Sequence, residues 1–459
     1  MKPATLLPTF RDPAGSLRLE GDSAIRTLHP ESREAALEFV SSAFSQRLQM
    51  RGDMTATVVE EEGARLVHPR IAIPSYPWEW TASQWLAAAE LTLRLGMEGL
   101  EDGWTLKDAT PLNILFVGPR PVLVDVLSFE RSKAEAAIWL AYGQYVRTFL
   151  LPLLMNKLQG WPLSLSLFRR DGFEPSELLP SLSFWKRMSP QAFWPITLPA
   201  WLEKRKGADK PQTNSRKMEP DAAKHVLRGT MKSLHKRTER AMPKSARTEW
   251  SEYQSTLTHY TSEESAAKLA WVRELLQATQ PKRVLDVGAN TGEFSSLAAE
   301  LGAEVVALER DGAAADRLYR MSRERGLNVL TLNVDLARPT PAAGWENSEQ
   351  SALLSRLEGQ FEMVMLLAVI HHLILMEQIP IEKIVALCAL LTKRHLIVEW
   401  VPVSDPMYQS LMRGRDELYG ALTEDDLLTA AAPYFQVVRR QALGNGRVLF
   451  LMETSAEKV

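Results

Sequence analysis

The residues best suited to chemistry lie in the segment RVLDVGANTGEFSSLAAELGAEVVALERD, residues 283–311. Asp286, Gly288 and Gly292 follow a short apolar run, where glycines let the backbone turn tightly and approach a ligand closely. Glu309 ends the next apolar run, 309 − 288 = 21 residues after the first glycine, and an acid there can accept hydrogen bonds from both hydroxyls of a ribose. The spacing predicts a nucleoside site, and by itself it also fits a dinucleotide.

Two details distinguish this loop from a pyrophosphate-binding loop. It reads D-x-G-x-N-x-G, with Asn290 between the glycines, and a further acid, Asp335, ends the third apolar run, where it can receive an adenine amino group. The segment resembles motif I of the class I S-adenosylmethionine-dependent methyltransferases, and the likeness covers about residues 269–453. The resemblance implies S-adenosylmethionine as cofactor and a donor site formed by Asp286, Gly288, Asn290, Gly292, Glu309 and Asp335.

Two histidines follow the fourth predicted strand, in the run AVIHHL. His371 and His372 are expected at the sheet edge that faces the acceptor, where either could take a proton from an acceptor hydroxyl near neutral pH. They are the candidate catalytic residues. Alternatively, one of them packs under the adenine or caps a helix.

Other polar residues close to the predicted fourth and fifth strands are candidates for an acceptor pocket, with solvated surface as the alternative. They are Glu349, Arg356, Glu399 and Asp405. Glu399, Asp405 and the two histidines are possible metal ligands, but their spacing does not demand an ion, so no metal site is predicted. The Asn/Asp-Pro-Pro-aromatic motif of adenine- and glutamine-directed N-methyltransferases is absent after the fourth strand, which argues against methylation of DNA bases.

A second constellation lies in LKDATPLNILF and VLVDVLSFE, near the N-terminus. Asp108 and Asn113 are five residues apart and Asp125 follows twelve residues later, after a strand-turn-strand pattern. Kinases use this arrangement for a loop aspartate near the attacking hydroxyl, an asparagine on one metal ion and an aspartate on the other. The two stretches resemble the catalytic loop and metal-binding segment of the protein-kinase and aminoglycoside-phosphotransferase superfamily, which implies ATP and magnesium at Asp108, Asn113 and Asp125.

Several departures from this pattern predict a degenerate kinase-like domain. No glycine-rich loop precedes residue 30, and Arg26 stands at or near the place of the phosphate-pairing lysine, although arginine is not equivalent to lysine there. Leu106 and Lys107 replace His-Arg before the loop aspartate, and Val-Leu replaces Phe-Gly after Asp125. A plain turn with a β-hairpin, and an active phosphotransferase that makes the chain bifunctional, remain as alternatives.

The surrounding elements predict two different folds. From about residue 249 onward, short β-type runs alternate with helix-length segments, which predicts an α/β fold with a doubly wound, Rossmann-like sheet closed by a hairpin. The N-terminal part contains strand-like pieces, a helix-like stretch at 31–49 and a second at 82–100 capped by Thr81, which predicts an α+β kinase-like domain.

The positions of prolines and charged residues divide the chain into three predicted parts, residues 1–200, 201–250 and 251–459. Residues 204–247 hold 14 Lys/Arg against 4 Asp/Glu, an excess of 14 − 4 = 10 positive charges. The first half of this basic segment is interpreted as a solvated linker and the second as a helix, either solvated or docked on something acidic. A third hypothesis is that this segment binds RNA and that the protein methylates RNA or a ribosomal protein. The lack of interleaved aromatic residues counts against it.

The whole composition limits the possible classes of protein. With 459 residues, 45% hydrophobic and 24% charged, two to four globular domains are expected. The formal net charge of −2 gives no general attraction to nucleic acid or anionic lipid, and a single cysteine excludes an intrachain disulfide. Without a signal peptide or a run long enough to cross a bilayer, a cytoplasmic protein with neither membrane nor nucleic-acid partner is expected.

Several stretches together resemble one group of bacterial proteins along nearly the whole chain. They are SYPWEWTASQ, LKDATPLNILF, VLVDVLSFE and GWENSE followed by IHHL, and the group is that of the class I methyltransferases that include nodulation-type proteins. The resemblance implies a methyltransferase but says little about its acceptor. We therefore expect a small-molecule, glycan or natural-product acceptor, with the N-terminal domain recognising it or regulating access.

Overall fold

The computed structural model describes residues 5–6, 9–132, 137–205, 218–244, 262–412 and 414–455. The chain forms two compact units. Unit 1 consists of Met1–Ser245 with Ala343–Gln350, and unit 2 of Ala246–Ala342 with Ser351–Val459. Much of the predicted linker, residues 206–217 and 245–250, lies outside the described residues. The division at about residues 200 and 250 stays a prediction.

Unit 1 begins with an antiparallel sheet in the order β1-β2-β3-β5-β4. Two smaller antiparallel pairs follow, β6 with β9 and β7 with β8. The strands of this unit are β1 (Thr5–Leu6), β2 (Gly15–Glu20), β3 (Ser23–Leu28), β4 (Val58–Glu60), β5 (Arg65–Pro69), β6 (Trp104–Leu106), β7 (Ile114–Val117), β8 (Arg120–Leu123) and β9 (Phe129–Arg131).

The helices of unit 1 include the two predicted helical stretches. They are α1 (Pro30–Val40), α2 (Ala43–Arg51), α3 (Ala82–Glu101), α4 (Tyr142–Tyr145), α5 (Leu151–Gln159), α6 (Pro175–Leu178), α7 (Phe184–Met188), α8 (Pro190–Ala192), α9 (Leu198–Arg205) and α10 (Pro220–Ala241). Thr81 caps α3 as predicted, because its side chain accepts a hydrogen bond from the backbone N–H of Gln84 at 3.2 Å. The stretch 31–49 is two helices rather than one, since Ser42 caps a new helix by accepting from the backbone N–H of Ser45.

Helix α10 confirms the helix predicted in the second half of the basic segment. Its apolar side is buried at positions three or four residues apart, the spacing of one helix face: Ala223, Leu227, Met231, Leu234, Thr238 and Ala241. This face packs on α3, and Lys224 and Arg228 both pair with Glu101 of that helix. The helix is therefore anchored along one side.

Unit 2 contains a seven-stranded sheet in the order β12-β11-β10-β13-β14-β16-β15. The first five strands in this order are parallel to one another, and β16 is antiparallel to both its neighbours. Its strands are β10 (Arg283–Val287), β11 (Glu304–Glu309), β12 (Val329–Asn333), β13 (Phe361–Leu366), β14 (Thr392–Trp400), β15 (Phe435–Ala442) and β16 (Val448–Thr454). The predicted α/β sheet with a terminal hairpin is confirmed in this unit.

Helices of unit 2 cover the parallel strands, as continuous apolar strands require. They are α11 (Ser262–Thr279), α12 (Glu293–Glu300), α13 (Gly312–Arg325), α14 (Leu353–Leu357), α15 (Ile370–Leu375), α16 (Ile381–Leu391), α17 (Pro406–Met412), α18 (Asp416–Tyr419) and α19 (Glu424–Ala431). One buried cluster joins Trp271 and Leu275 of α11 to Val284, Val305 and Met363 of the central strands. This packing fixes the strand ends from which the polar residues project.

No helix within the described residues is long and apolar enough to cross a membrane.

Candidate functional site

A cavity of about 210 Å³ opens at the carboxyl ends of the parallel strands of unit 2. Asp286 comes from the end of β10, Glu309 from the end of β11 and Asp335 from just beyond β12. The topology therefore brings together three acids of which the first and last are 335 − 286 = 49 residues apart in sequence. Gly288 and Asn290 also line this cavity, as does His372. We call it the donor pocket. Its place at the carboxyl edge of a doubly wound sheet is where such folds bind ligands.

The loop between β10 and α12 depends on its glycines for two reasons. Gly288 has φ +68° and Gly292 φ +89°, both in the left-handed region that favours glycine. A Cβ on Gly288 would lie 2.5 Å from Cγ2 of Val369, and a Cβ on Gly292 would overlap the side chain of Leu318. Asn290, at φ +50°, adopts the left-handed conformation without being glycine. The loop therefore runs close to its neighbours and is held in a shape that few residues tolerate.

Asp286 is buried at the centre of this edge. Its carboxylate accepts a hydrogen bond from the hydroxyl of Ser295 at 2.6 Å. Burial raises the pKa of Asp286 to about 7, and the nearby Glu309 adds to the rise, while the bond from Ser295 and the charge of Lys268 oppose it. The carboxyl group is thus balanced between its neutral and ionised forms near pH 7, and a cationic ligand group beside it would favour the ionised form.

Glu309 is held by two backbone donors. The N–H of Asn290 donates to one carboxylate oxygen at 2.8 Å and the N–H of Asp311 to the other at 2.7 Å. Burial raises its pKa, and these two bonds oppose the rise. Each oxygen can accept further hydrogen bonds, so the carboxylate is oriented and still able to accept from a diol.

Asp335 is the most exposed of the three acids. Its carboxylate accepts from the backbone N–H of Ala337 at 2.9 Å and pairs with Arg338 at 2.7 Å. Asn333, which the sequence reasoning did not single out, donates from its amide to the backbone carbonyls of Glu309 and Arg310. These bonds tie the ends of β11 and β12 together beneath the pocket.

Two buried polar atoms of the loop have no hydrogen-bond partner among the described residues. They are Oδ1 of Asn290 and Oγ1 of Thr291. Buried polar atoms are normally satisfied, so unpaired ones beside a cavity fit a site that takes a polar ligand.

The two histidines occupy different environments. His372 lines the donor pocket, its Nδ1 lies 3.4 Å from the sulfur of Met376, and burial lowers its pKa to about 4. His371 is buried, neither ring nitrogen has a partner in the described part of the chain, and burial lowers its pKa well below the ordinary value. The rings are 4.3 Å apart. Both are therefore neutral at pH 7, and only His372 reaches the pocket.

A buried chain of alternating charges lies beyond the pocket. Lys268 pairs with Glu399 at 2.5 Å; Arg447 lies 3.3 Å from the other oxygen of Glu399 and 2.8 Å from Asp405. Lys268 also lines the donor pocket, with its ammonium 5.1 Å from the ring centre of Phe294. Sequence reasoning missed Lys268 and Arg447. A lone lysine in the apolar stretch AAKLAWV of α11 was the available signal.

The other predicted pocket residues lie elsewhere. Glu399 and Asp405 belong to this buried charge chain, and neither lines the donor pocket. Glu349 belongs to unit 1, where it pairs with Arg11 at 2.7 Å and Arg170 at 2.8 Å. Arg356 is buried in unit 2 and donates to the carbonyl of Ser351. The possible ligand set of His371, His372, Glu399 and Asp405 does not form a metal-sized cluster among the described residues.

In unit 1 the three residues of the second constellation come together. Asn113 and Asp125 share the hydroxyl of Ser128, which accepts from the amide of Asn113 and donates to Asp125, both at 2.9 Å. Burial raises the pKa of Asp108, and the charge of Asp125 adds to the rise, so the two acids are near each other. Arg26 lies between Asp12, at 2.5 Å, and Asp125, at 3.3 Å.

Two comparisons with known proteins cover the part of the chain that forms the donor pocket. Residues 258–416 match the methyltransferase domain family. The nodulation protein NoeA of Rhizobium meliloti (strain 1021) is 27% identical over 476 residues, covering 99% of this chain and 97% of that protein.

Solved structures also match the chain, over less than half of its length. Magnesium protoporphyrin IX methyltransferase (ChlM) from Synechocystis PCC 6803 with bound SAH is 18% identical with a TM-score of 0.32, over 42% of this chain and 84% of that chain. The N-methyltransferase NodS from Bradyrhizobium japonicum WM9 is 12% identical with a TM-score of 0.32, over 42% and 97%. The bifunctional kinase-methyltransferase WbdD is 15% identical with a TM-score of 0.28, over 41% and 39%.

The family match falls on the part of the chain that builds the glycine loop, the three acids and the pocket between them. The C-terminal part of the chain is therefore a methyltransferase domain, and the prediction of a methyltransferase is confirmed.

Proposed function

We propose that the donor pocket holds S-adenosylmethionine and that the enzyme methylates a small-molecule, glycan or natural-product acceptor. The convergence of Asp286, Glu309 and Asp335 around one cavity carries the assignment of the donor. In this proposal Asp286 faces the amino-acid end of the donor, Glu309 the ribose hydroxyls and Asp335 the adenine amino group. The loop from Gly288 to Gly292 lets the backbone approach the donor closely.

Methyl transfer depends more on alignment of the acceptor atom with the donor's methyl group than on acid-base catalysis. The donor supplies an electrophilic methyl group on a positively charged sulfur, and the methyl passes to an acceptor oxygen, nitrogen or carbon while the sulfur keeps the electron pair of the broken bond. Residues of the pocket hold the reacting atoms in line, which can provide much of the rate. His372, neutral at pH 7, is placed to accept a proton from an acceptor hydroxyl, although its lowered pKa makes it a weak base.

Binding of the donor is tested by calorimetric titration of the whole protein with S-adenosylmethionine and with its demethylated product. We expect Asp286→Ala to weaken binding at least tenfold, because a buried partner of the donor's ammonium group is lost. Asp425→Ala removes an exposed acid that does not line the pocket and serves as the matched control. Absence of binding to the folded protein, or equal affinities for Asp286→Ala and the control, would refute the assignment.

The acceptor is best sought without assuming its class. Extracts are incubated with the enzyme and a methyl-labelled donor, and labelled products are identified by untargeted mass spectrometry. A labelled small molecule or glycan, absent with Asp286→Ala, would support the proposal. Label found instead in RNA or in a protein would show that the proposed acceptor class is wrong.

We further propose that unit 1 is a kinase-like domain that has lost phosphate transfer and serves acceptor recognition or regulation. Its element order supports this: an antiparallel sheet with two helices before its last two strands, then the long helix α3, then the β7–β8 hairpin between Asn113 and Asp125. Arg26, which also pairs with Asp12, lies 3.3 Å from Asp125, and the Asp125 carboxylate accepts from Ser128. Part of the coordination that a magnesium ion would need is therefore taken up by protein groups.

An active phosphotransferase is the second candidate function, favoured by the meeting of Asp108, Asn113 and Asp125. It requires magnesium-dependent ATP binding that Asp125→Asn abolishes and ATP consumption that Asp108→Asn abolishes. Titration with ATP in the presence of magnesium or manganese decides between the candidates. Our proposal of a degenerate domain expects no metal-dependent binding.

A further inference from the structure

A second cavity, of about 470 Å³, lies in unit 1 between α10 and the segment around α8. Thirteen residues line it within the described ranges; four are lysine or arginine and none is acidic. The four cations are Lys232, Lys236, Arg237 and Arg240. We call this cavity the basic groove. Its volume falls in the range of small-molecule sites.

The cations of the groove differ from those elsewhere on the same helix. Lys224 and Arg228, nearer the start of α10, both pair with Glu101 of α3. Lys232, Lys236 and Arg240 form no ion pair with any other residue in the described part of the chain. Arg237 makes one long hydrogen bond, 3.4 Å, to the hydroxyl of Ser233. Several like charges thus gather around one cavity that no acidic residue of the described ranges lines, an arrangement that favours binding of an anion.

The spacing of the four cations favours an anion that is larger than one phosphate group. Lys232, Lys236 and Arg240 recur at steps of four residues and lie along one side of α10, and Arg237 directly follows Lys236. Lys232 and Arg240 are eight residues apart, which corresponds to about 12 Å along a helix axis. A diphosphate is longer and carries more charge than a single phosphate group, so more of these long side chains can converge on it at once.

The opposite wall of the groove is apolar. Leu154 and Pro190 line it, and the indole of Trp194, 54% exposed, faces solvent beside them. An exposed indole offers a flat surface against which a sugar or base ring can stack. One indole fits one ring, whereas proteins that bind single-stranded nucleic acid stack successive bases on several aromatic side chains.

From these observations we propose that the basic groove is a binding site for a diphosphate-bearing small molecule, with its sugar or base ring against Trp194. Lys232, Lys236, Arg237 and Arg240 bind the diphosphate. The site is separate from the donor pocket and from the constellation of Asp108, Asn113 and Asp125, and it needs no metal ion. It would give unit 1 the anionic-ligand function that its kinase-like constellation is expected to have lost.

The test is calorimetric titration of the whole protein in low-salt buffer containing EDTA, which excludes magnesium-dependent binding near Asp125. The probes are inorganic pyrophosphate, inorganic phosphate and UDP-glucose. We expect pyrophosphate to bind more tightly than phosphate, and UDP-glucose more tightly than pyrophosphate. The double variant Lys236→Ala/Arg240→Ala should bind pyrophosphate at least about tenfold more weakly, because charge-assisted hydrogen bonds are lost.

A charge-matched control lies on the same helix. Lys224→Ala/Arg228→Ala removes the same net charge from the face that meets α3, and its pyrophosphate affinity should change by less than about twofold, because these two side chains do not line the groove and already pair with Glu101. Trp194→Ala should weaken UDP-glucose while leaving pyrophosphate unchanged. The three substituted groove residues, Trp194, Lys236 and Arg240, are exposed, so circular dichroism should report folded variants.

Three results would overturn the proposal. The first is no binding of pyrophosphate or UDP-glucose to the folded protein. The second is an equal loss of affinity in the two double variants, which would reduce the effect to general electrostatics. The third is binding of a single-stranded oligonucleotide that Lys236→Ala/Arg240→Ala weakens while UDP-glucose does not bind, which would assign the groove to nucleic acid instead.

Discussion

Among individual residues, Asp286 connects the fold most directly to the donor. It is buried beside a second acid, Glu309, and its pKa lies near 7 because burial favours the neutral carboxyl group. A donor ammonium group beside it would stabilise the ionised form, so binding near pH 7 should release protons from this site. The same burial that fixes the position of the carboxylate therefore makes the empty pocket sensitive to pH.

Asp286→Asn should flatten the pH dependence of stability. Between the ordinary aspartate pKa of 3.8 and the folded pKa of about 7, the folded state keeps a proton that the unfolded state has released. Stability conferred by this proton is complete below about pH 4 and is lost as the pH rises through about 7. Thermal unfolding of the ligand-free protein at a series of pH values measures the effect. The control Asp425→Asn should keep the wild-type slope, and an equal slope for Asp286→Asn would contradict the assignment.

Gly288→Ala should weaken donor binding and lower stability. The new Cβ would lie 2.5 Å from Val369, and alanine disfavours φ +68°. Gly326, which ends α13 at φ +65° with open space around it, provides the control, because Gly326→Ala carries the same backbone strain without the clash. Calorimetry should therefore show weaker S-adenosylmethionine binding for Gly288→Ala alone. Similar binding by both variants would mean that the close approach at Gly288 is unimportant.

At the scale of elements, the methyltransferase unit follows its sequence pattern closely. The buried runs beginning at Arg283, Glu304 and Phe361 form adjacent parallel strands, because continuous apolar β-type residues need cover on both faces. The acids Asp286 and Glu309 stand at strand ends, and the parallel topology alone is enough to bring them together. The donor site was therefore predictable in outline from local residues.

Features that depend on distant partners were not predictable in the same way. Glu399 and Asp405 were expected in an acceptor pocket, yet they are buried against Lys268 and Arg447, which come from elements far away in sequence. Glu349, another candidate, pairs with Arg11 and Arg170 in unit 1. Periodicity reveals which face of an element is buried, but it does not reveal which charge meets which.

Helix α10 gives a prediction at this scale. Leu234 lies in its buried stripe, 1% exposed, whereas Val226 is 42% exposed on the same helix. Leu234→Ala should lower the stability of unit 1 by about 2–5 kcal/mol, because a buried leucine leaves a cavity. Val226→Ala should change it little. Denaturant unfolding followed by circular dichroism, with peptide-level hydrogen exchange of α3 and α10, measures the difference. Equal effects would contradict the packing of this face.

For the whole molecule, the buried charge chain Lys268–Glu399–Arg447–Asp405 is the feature that connects distant segments of unit 2. Glu399→Gln would leave two buried cations with one counter-charge between them and should lower stability by about 3–5 kcal/mol. Glu453→Gln, which loses a partly exposed pair with Arg394, should cost at most about 1 kcal/mol. Denaturant unfolding of unit 2 measures both. If the two variants lost stability equally, the buried chain would have no special importance.

The position of β16 has a consequence for how the protein is made. This strand comes last along the described chain but lies inside the sheet, between β14 and β15, and Arg447 stands directly before it. While the ribosome is still adding these residues, β14 has an unpaired edge and Glu399 lacks one of its two cations. Unit 2 therefore cannot fold strand by strand from its beginning. We expect the nascent chain to remain open to chaperones, or to aggregation, until β16 leaves the exit tunnel and inserts.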